Sequence, residues 1–90
     1  MVAYSETLNG NYVIRTFNKD VHDDELVWHR DINHRFVEII EGNDWKIQFD
    51  NHIPKKLKVG KKIFIPAMKY HRIIKGSTDL VVRIQELGCP

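Results

Sequence analysis

His29 and Asp31 stand two residues apart in a stretch, Trp28 to Gly42, whose beginning reads as a strand. Side chains two apart on a strand share one face. A neutral imidazole and a carboxylate converging from one face suit a divalent metal, provided a third ligand arrives from elsewhere in the chain. His71 is the candidate for that ligand, and His34 is the alternative to Asp31. Arg35 follows closely, and an inward-pointing guanidinium would make an anion-binding fork beside the ion. Lys75 and Arg83 add positive charge that could reinforce the same preference, and Trp28 and Tyr70 neighbour the candidate ligands and could stack on a bound molecule.

Each of these residues has a plainer role. His29 and His71 could be ordinary strand histidines, Asp31 could pair with Arg30 or Arg35 to fix a hairpin, and Arg35 could be a salt-bridged rim residue. His22 and His52 fall in polar loops and are expected at the surface.

The elements that must position such a site read as strands. Asn11–Phe17 is rich in β-branched and aromatic residues and is closed by Asn18-Lys19-Asp20. Leu26–Asp31 resumes an extended pattern after the acidic connection His22–Glu25. Ile32-Asn33-His34 reads as a turn, and Arg35–Glu41 as the next strand. Trp45-Lys46-Ile47-Gln48-Phe49 alternates most clearly, with Trp45, Ile47 and Phe49 expected in the core. Lys55–Val59 is a short charged strand, and Lys62–Ile65 runs into Pro66; Phe64 is expected in the core. Tyr70–Lys75 and Asp79–Glu86 complete the set. About eight short strands with turn signals between them, and no helical period, imply an all-β antiparallel sandwich or barrel. Residues 1–10 read as a leader, 11–86 as the barrel and 87–90 as a tail, all in one domain.

The bulk properties narrow the function classes. A chain of 90 residues fits one small domain. The net charge of +2 conceals an acidic first half, with four Lys/Arg against nine Asp/Glu in residues 1–45, and a basic second half, with ten against three. The run Lys55, Lys56, Lys58, Lys61, Lys62 raises a nucleic-acid accessory role, but no aromatic residues interleave it for base stacking. Cys89 is the single cysteine, which excludes an intrachain disulfide and suits a reducing, cytoplasmic setting. No signal peptide is evident, and no apolar run approaches the ~20 residues of a membrane helix.

Taken together, the spacings resemble the cupin family, small jelly-roll β-barrels with two motifs, G-x5-H-x-H-x(3,4)-E-x6-G and G-x5-P-x-G-x2-H-x3-N. Gly60, Pro66, Met68, His71 and Lys75 meet the second in spacing, with Met68 and Lys75 where Gly and Asn are usual. His29, Asp31, Arg35 and Gly42 fall in register with the first, and Asp23 takes the place of its opening glycine. Met68 in place of glycine implies a turn of another shape.

The resemblance implies a cupin-like jelly-roll barrel with a metal on His29, Asp31 and His71, since Arg35 replaces the usual glutamate and cannot ligate a cation. Two histidines and one carboxylate suit non-haem Fe(II), with Mn, Ni, Co or Zn as other occupants. The order His-x-Asp followed by His also resembles the facial triad of 2-oxoglutarate oxygenases, with Arg83 as their co-substrate anchor, although those chains are much longer. Oxygenase or isomerase chemistry on a small anionic molecule, and a homodimer, are what the family brings. A non-catalytic cupin that binds a small molecule or a partner without metal is the competing expectation.

Overall fold

Strand-forming residues alternate with Gly, Asn, Asp and Pro turns along the whole chain, and the computed structural model, which describes residues 3–87, resolves them into eight strands. These are β1 (Tyr4–Asn9), β2 (Tyr12–Phe17), β3 (His34–Glu41), β4 (Lys46–Phe49), β5 (Lys55–Lys56), β6 (Lys62–Ile65), β7 (His71–Ile74) and β8 (Leu80–Leu87). A five-stranded sheet in the order β1-β2-β8-β3-β6 faces a three-stranded sheet in the order β5-β4-β7, and every pairing is antiparallel. A 3-10 turn, Asp23–Glu25, interrupts the connection from β2 to β3. No helix among the described residues is long and apolar enough to cross a membrane.

The period-2 alternation fills the space between the sheets. Val37 and Ile39 from β3, Leu80, Val82 and Ile84 from β8, Phe17 from β2 and Ile65 from β6 meet Ile47 from β4 and Trp45, the residue just before that strand. Trp45 is fully buried, and its ring N–H donates to the carbonyl of Thr78 at 2.6 Å, which meets the one polar demand of that side chain. Gly76 lies against it: a Cβ there would fall 2.1 Å from the carbonyl oxygen of Asn43 and 2.6 Å from the backbone nitrogen of Trp45.

Several expectations from the sequence are corrected. Residues 4–9, read as a leader, are strand β1, which pairs with β2 from Tyr4↔Phe17 to Asn9↔Tyr12. Leu26–Asp31 is not a full strand. His29 and His71 exchange both backbone hydrogen bonds, at 3.0 and 2.9 Å, but the carbonyl of Asp31 accepts from Met68 instead of from β7, so the ladder stops after one pair. Of the charged stretch at 55–59, only Lys55 and Lys56 pair; Leu57 turns into the core and donates its N–H to the Trp45 carbonyl. Phe64 is not a core residue. Ile63 and Ile65 take the inward positions of β6, which puts Phe64 on the outer face, 44% exposed, against its cross-strand partner Phe36. Residues 1–2 and 88–90, including Cys89, lie outside the described residues.

Met68 corrects another expectation, since the turn before β7 keeps a left-handed residue, at φ +65°, where the motif has glycine. A left-handed conformation costs a residue with a Cβ roughly 1–2 kcal/mol, partly offset because glycine loses more chain entropy on folding. Met68 is half exposed, so it loses little packing when replaced. Met68→Gly is therefore expected to stabilise the fold by about 0.5–1 kcal/mol, seen as a higher midpoint in urea with an unchanged slope.

Candidate metal centre

The segment that lies across the end of the smaller sheet and the first residue of β7 build one cluster. The backbone bridge between His29 and His71 places their side chains directly opposite each other, and the rings sit 4.4 Å apart between centroids. Asp31, two residues on, reaches the same spot. One ligand atom from each of His29, Asp31 and His71 can be chosen so that all three lie within 4.8 Å of one another. The ring Nε2 of His71 is 3.5 Å from Oδ2 of Asp31, and that of His29 is 4.0 Å from Oδ1.

Both imidazoles are oriented by the same device. Nδ1 of His71 lies 2.8 Å from the carbonyl of Lys69, and Nδ1 of His29 lies 3.0 Å from the carbonyl of Val27. A carbonyl only accepts, so each Nδ1 carries the proton, and each neutral ring presents the lone pair of Nε2 to the cluster. Fixing a metal-binding imidazole through its other nitrogen is the usual way to set tautomer and direction.

Burial, the largest influence, holds the imidazole of His71 below its ordinary value of 6.5, with the nearby His29 ring acting in the same direction against the hydrogen bond to Lys69. The neutral form is therefore favoured. In metal-free protein the unfolded chain then binds the extra proton first as pH falls, so stability from this group is complete above 6.5 and declines as pH drops through 6.5 toward the folded value. Urea midpoints of chelator-treated protein between pH 8 and pH 5 should show that decline, and a flat profile would contradict it.

The carboxylate of Asp31 carries the most telling feature. Its Oδ2 is buried and makes no hydrogen bond. Arg35 Nη1 stands 3.3 Å away, at ion-pair distance but without hydrogen-bond alignment, and the lone pair of His71 faces the same oxygen. An acceptor facing an acceptor in a buried site is satisfied by a donor or a cation placed between them. The donor set of two imidazole nitrogens and one carboxylate, with its orphaned oxygen, thus fits a divalent ion.

A cavity of about 300 Å³ lies between the sheets and reaches this cluster. Its walls are apolar, from Val37, Ile47, Ile63, Ile65 and Val82, and its charged members include Arg15, Glu25, Asp31 and Arg35. Arg35 projects inward from β3. Its Nε and Nη2 both donate to Oε1 of Glu86, at 3.1 and 2.7 Å, and these bonds hold Glu86 below the ordinary carboxylate range.

The other sequence candidates do not join this site. His34 points out of the barrel, accepts the N–H of Ala67 on Nδ1 at 2.8 Å and packs on Phe64. Arg83 is also on the outer face, because Val82 and Ile84 take the inward positions of β8; it pairs with Glu38 and lies over the ring of Tyr12. Lys75 donates to the carbonyl of Val21 at 3.0 Å and ties the β2–β3 connection to the end of β7. Trp28 and Tyr70 are exposed and covered by Arg72 and Arg30, and neither lines the cavity.

Arg15, Tyr4 and Glu86 were not anticipated. Arg15 faces the cavity from β2, only 14% exposed at its side chain, over the ring of Tyr4 and bonded to Glu6 at 2.7 Å. The available signal was its parity with Phe17, two positions on and buried.

No protein-family model and no curated protein matches the sequence. Solved structures match the fold. A cupin-2 domain protein from Shewanella frigidimarina NCIMB 400 aligns at a TM-score of 0.66 and 18% identity, over 92% of this chain and 80% of its own. A structure from work on the DMSP lyases RdDddP and RnDddQII aligns at 0.73 and 14% identity, over 86% of this chain and 37% of its own. Fe(II) HppE aligns at 0.69 and 14% identity, over 93% of this chain and 50% of its own. This chain thus spans half or less of those two enzymes and most of the first protein. Two facing antiparallel sheets, eight strands and these superpositions show that the barrel has a cupin-like jelly-roll fold.

Proposed function

We propose that the protein is a small metal-binding cupin that holds a divalent cation on His29, Asp31 and His71 and takes a small anionic molecule into the barrel beside Arg35. The observation that carries this reading is the pair of imidazoles, locked by Lys69 and Val27, converging on the unsatisfied buried oxygen of Asp31. Fe(II) is the favoured ion, because two histidines and a carboxylate suit it and the similar HppE contains it.

A bound ion would supply Lewis-acid polarisation of a carbonyl or carboxylate, or an open position for oxygen, as metal-dependent isomerases and oxygenases require. The chain's own residues do the rest. Arg35, its Nε and Nη2 engaged by Glu86, offers its Nη1 to an anionic group, and the apolar walls exclude water from the uncharged part of the molecule.

The test is elemental analysis of untagged protein, with Asp31→Asn beside the wild type, after anaerobic incubation with Fe(II), Mn(II), Ni(II) and Zn(II) in turn. Near-stoichiometric metal in wild type and a large loss in Asp31→Asn are expected. No metal in wild type under any of these conditions would overturn the reading and favour a binding module without metal.

A further inference from the structure

Asp31 would stand between two cationic partners, and a divalent ion drawn to its carboxylate would weaken its hold on the other. In the protein without metal, Arg35 Nη1 is the cation within ion-pair distance of Oδ2, at 3.3 Å. An ion held by His29, Asp31 and His71 would approach that carboxylate to about 2.0–2.2 Å and dominate it. Arg35 does not swing away with the change, because its Nε and Nη2 remain anchored to Glu86. Nη1 would then be available to an anion that enters the cavity, which Arg35 lines.

The charge balance moves in the same direction. Among the charged residues that line the cavity, Arg15 and Arg35 are balanced by Glu25 and Asp31, so without metal there is no net positive charge to draw in an anion. A divalent ion would add positive charge and withdraw the competitor for Arg35 at once.

Resting on the metal reading above, we infer that Arg35 is a metal-gated anion donor: the cavity takes up a small monocarboxylate with an apolar body only after the cation has captured Asp31. The apolar walls and the volume of about 300 Å³ suit one ring or a short branched chain behind the carboxylate. The coupling is reciprocal, so the carboxylate tightens the ion by the same factor.

Calorimetric titrations test this with Mn(II) and benzoate as probes, on the full chain. Wild type should bind benzoate on the order of 10-fold or more tightly with Mn(II) bound than after chelation, and benzoate should tighten Mn(II) equally, within the roughly 5–150-fold range of measured couplings. In Arg35→Gln, Mn(II) should bind no more weakly than in wild type, while the coupling factor falls to about one. Glu86→Gln, at a side chain 46% exposed and outside the cavity lining, is a second variant that leaves the core intact; it keeps an acceptor for Arg35 but removes the charge that neutralises it, so it should tighten benzoate with little change in Mn(II). Benzoate binding that ignores Mn(II) in wild type, full coupling retained in Arg35→Gln, or weaker benzoate binding in Glu86→Gln overturns the inference while the metal site stands. A wild type that takes up no Mn(II) overturns the metal reading itself and this inference with it.

Discussion

His71→Ala is expected to remove measurable metal stabilisation of the fold. Loss of an outer-shell partner alone typically costs about 10–100-fold in metal affinity, and loss of a ligand should exceed that. An ion present at ~100 times its dissociation constant stabilises the native state by about 2.7 kcal/mol, or roughly 10–20 °C in midpoint for a domain of this size. Differential scanning of wild type with Mn(II) and with chelator should show that interval, and His71→Ala should show almost none. Comparing each protein with itself matters, because the variant also loses the bond to Lys69 and the packing of a buried ring. An equal metal-induced shift in both proteins would place the ion elsewhere.

Trp45→Ala is the other large effect, and it concerns the barrel. The side chain is fully buried between the sheets, packs on Phe17 at a centroid distance of 6.0 Å and satisfies Thr78 through its ring N–H. Truncating a buried Phe or Trp to alanine typically costs about 3–5 kcal/mol. A domain of this length has a total of roughly 5–13 kcal/mol, so much of its stability goes. Circular dichroism in urea is the right measurement, since the variant lacks the buried fluorophore and retains only exposed Trp28. A loss below about 1 kcal/mol would mean that the sheets close over the gap.

The barrel was legible where alternation was strong and hidden where it was weak. Trp45 to Phe49 alternates cleanly, and its inward and outward positions follow from composition alone. In Lys62–Ile65 three apolar residues run together, so sequence cannot say which face Phe64 takes; pairing with Phe36 decides it. β1 was missed because residues 5–9 are all exposed, leaving no apolar stripe to mark a strand held by its hydrogen bonds to β2. Arg83 was misplaced for a similar reason, since Val81 and Val82 before it make both parities plausible.

The centre divides along the same line. His29 and Asp31 are close by local spacing, which an extended segment preserves even with one bridge in place of a ladder. His71 needed the second motif, because 40 residues of chain separate it from Asp31 and only folding joins them. The Nδ1 locks on Lys69 and Val27 are made with backbone carbonyls, so no side-chain identity announces them. Arg15 lies in a different strand from every candidate ligand and reaches the cavity through the order β1-β2-β8.

That order also governs when the site can exist during folding. β8 sits in the middle of the large sheet although it follows every other strand in the chain, and it joins β2 to β3 across separations as long as Val13↔Ile84. Such distant pairing makes for slow closure, on the millisecond-to-second scale typical of barrels with high contact order. Until residues 80–87 emerge from the ribosome, β2 and β3 have no common neighbour, the cavity lacks the wall formed by Leu80, Val82 and Ile84, and Arg35 has no Glu86 to hold it. Completion of the cavity beside the proposed metal centre is therefore a late step in the life of the nascent chain, following the arrival of β8.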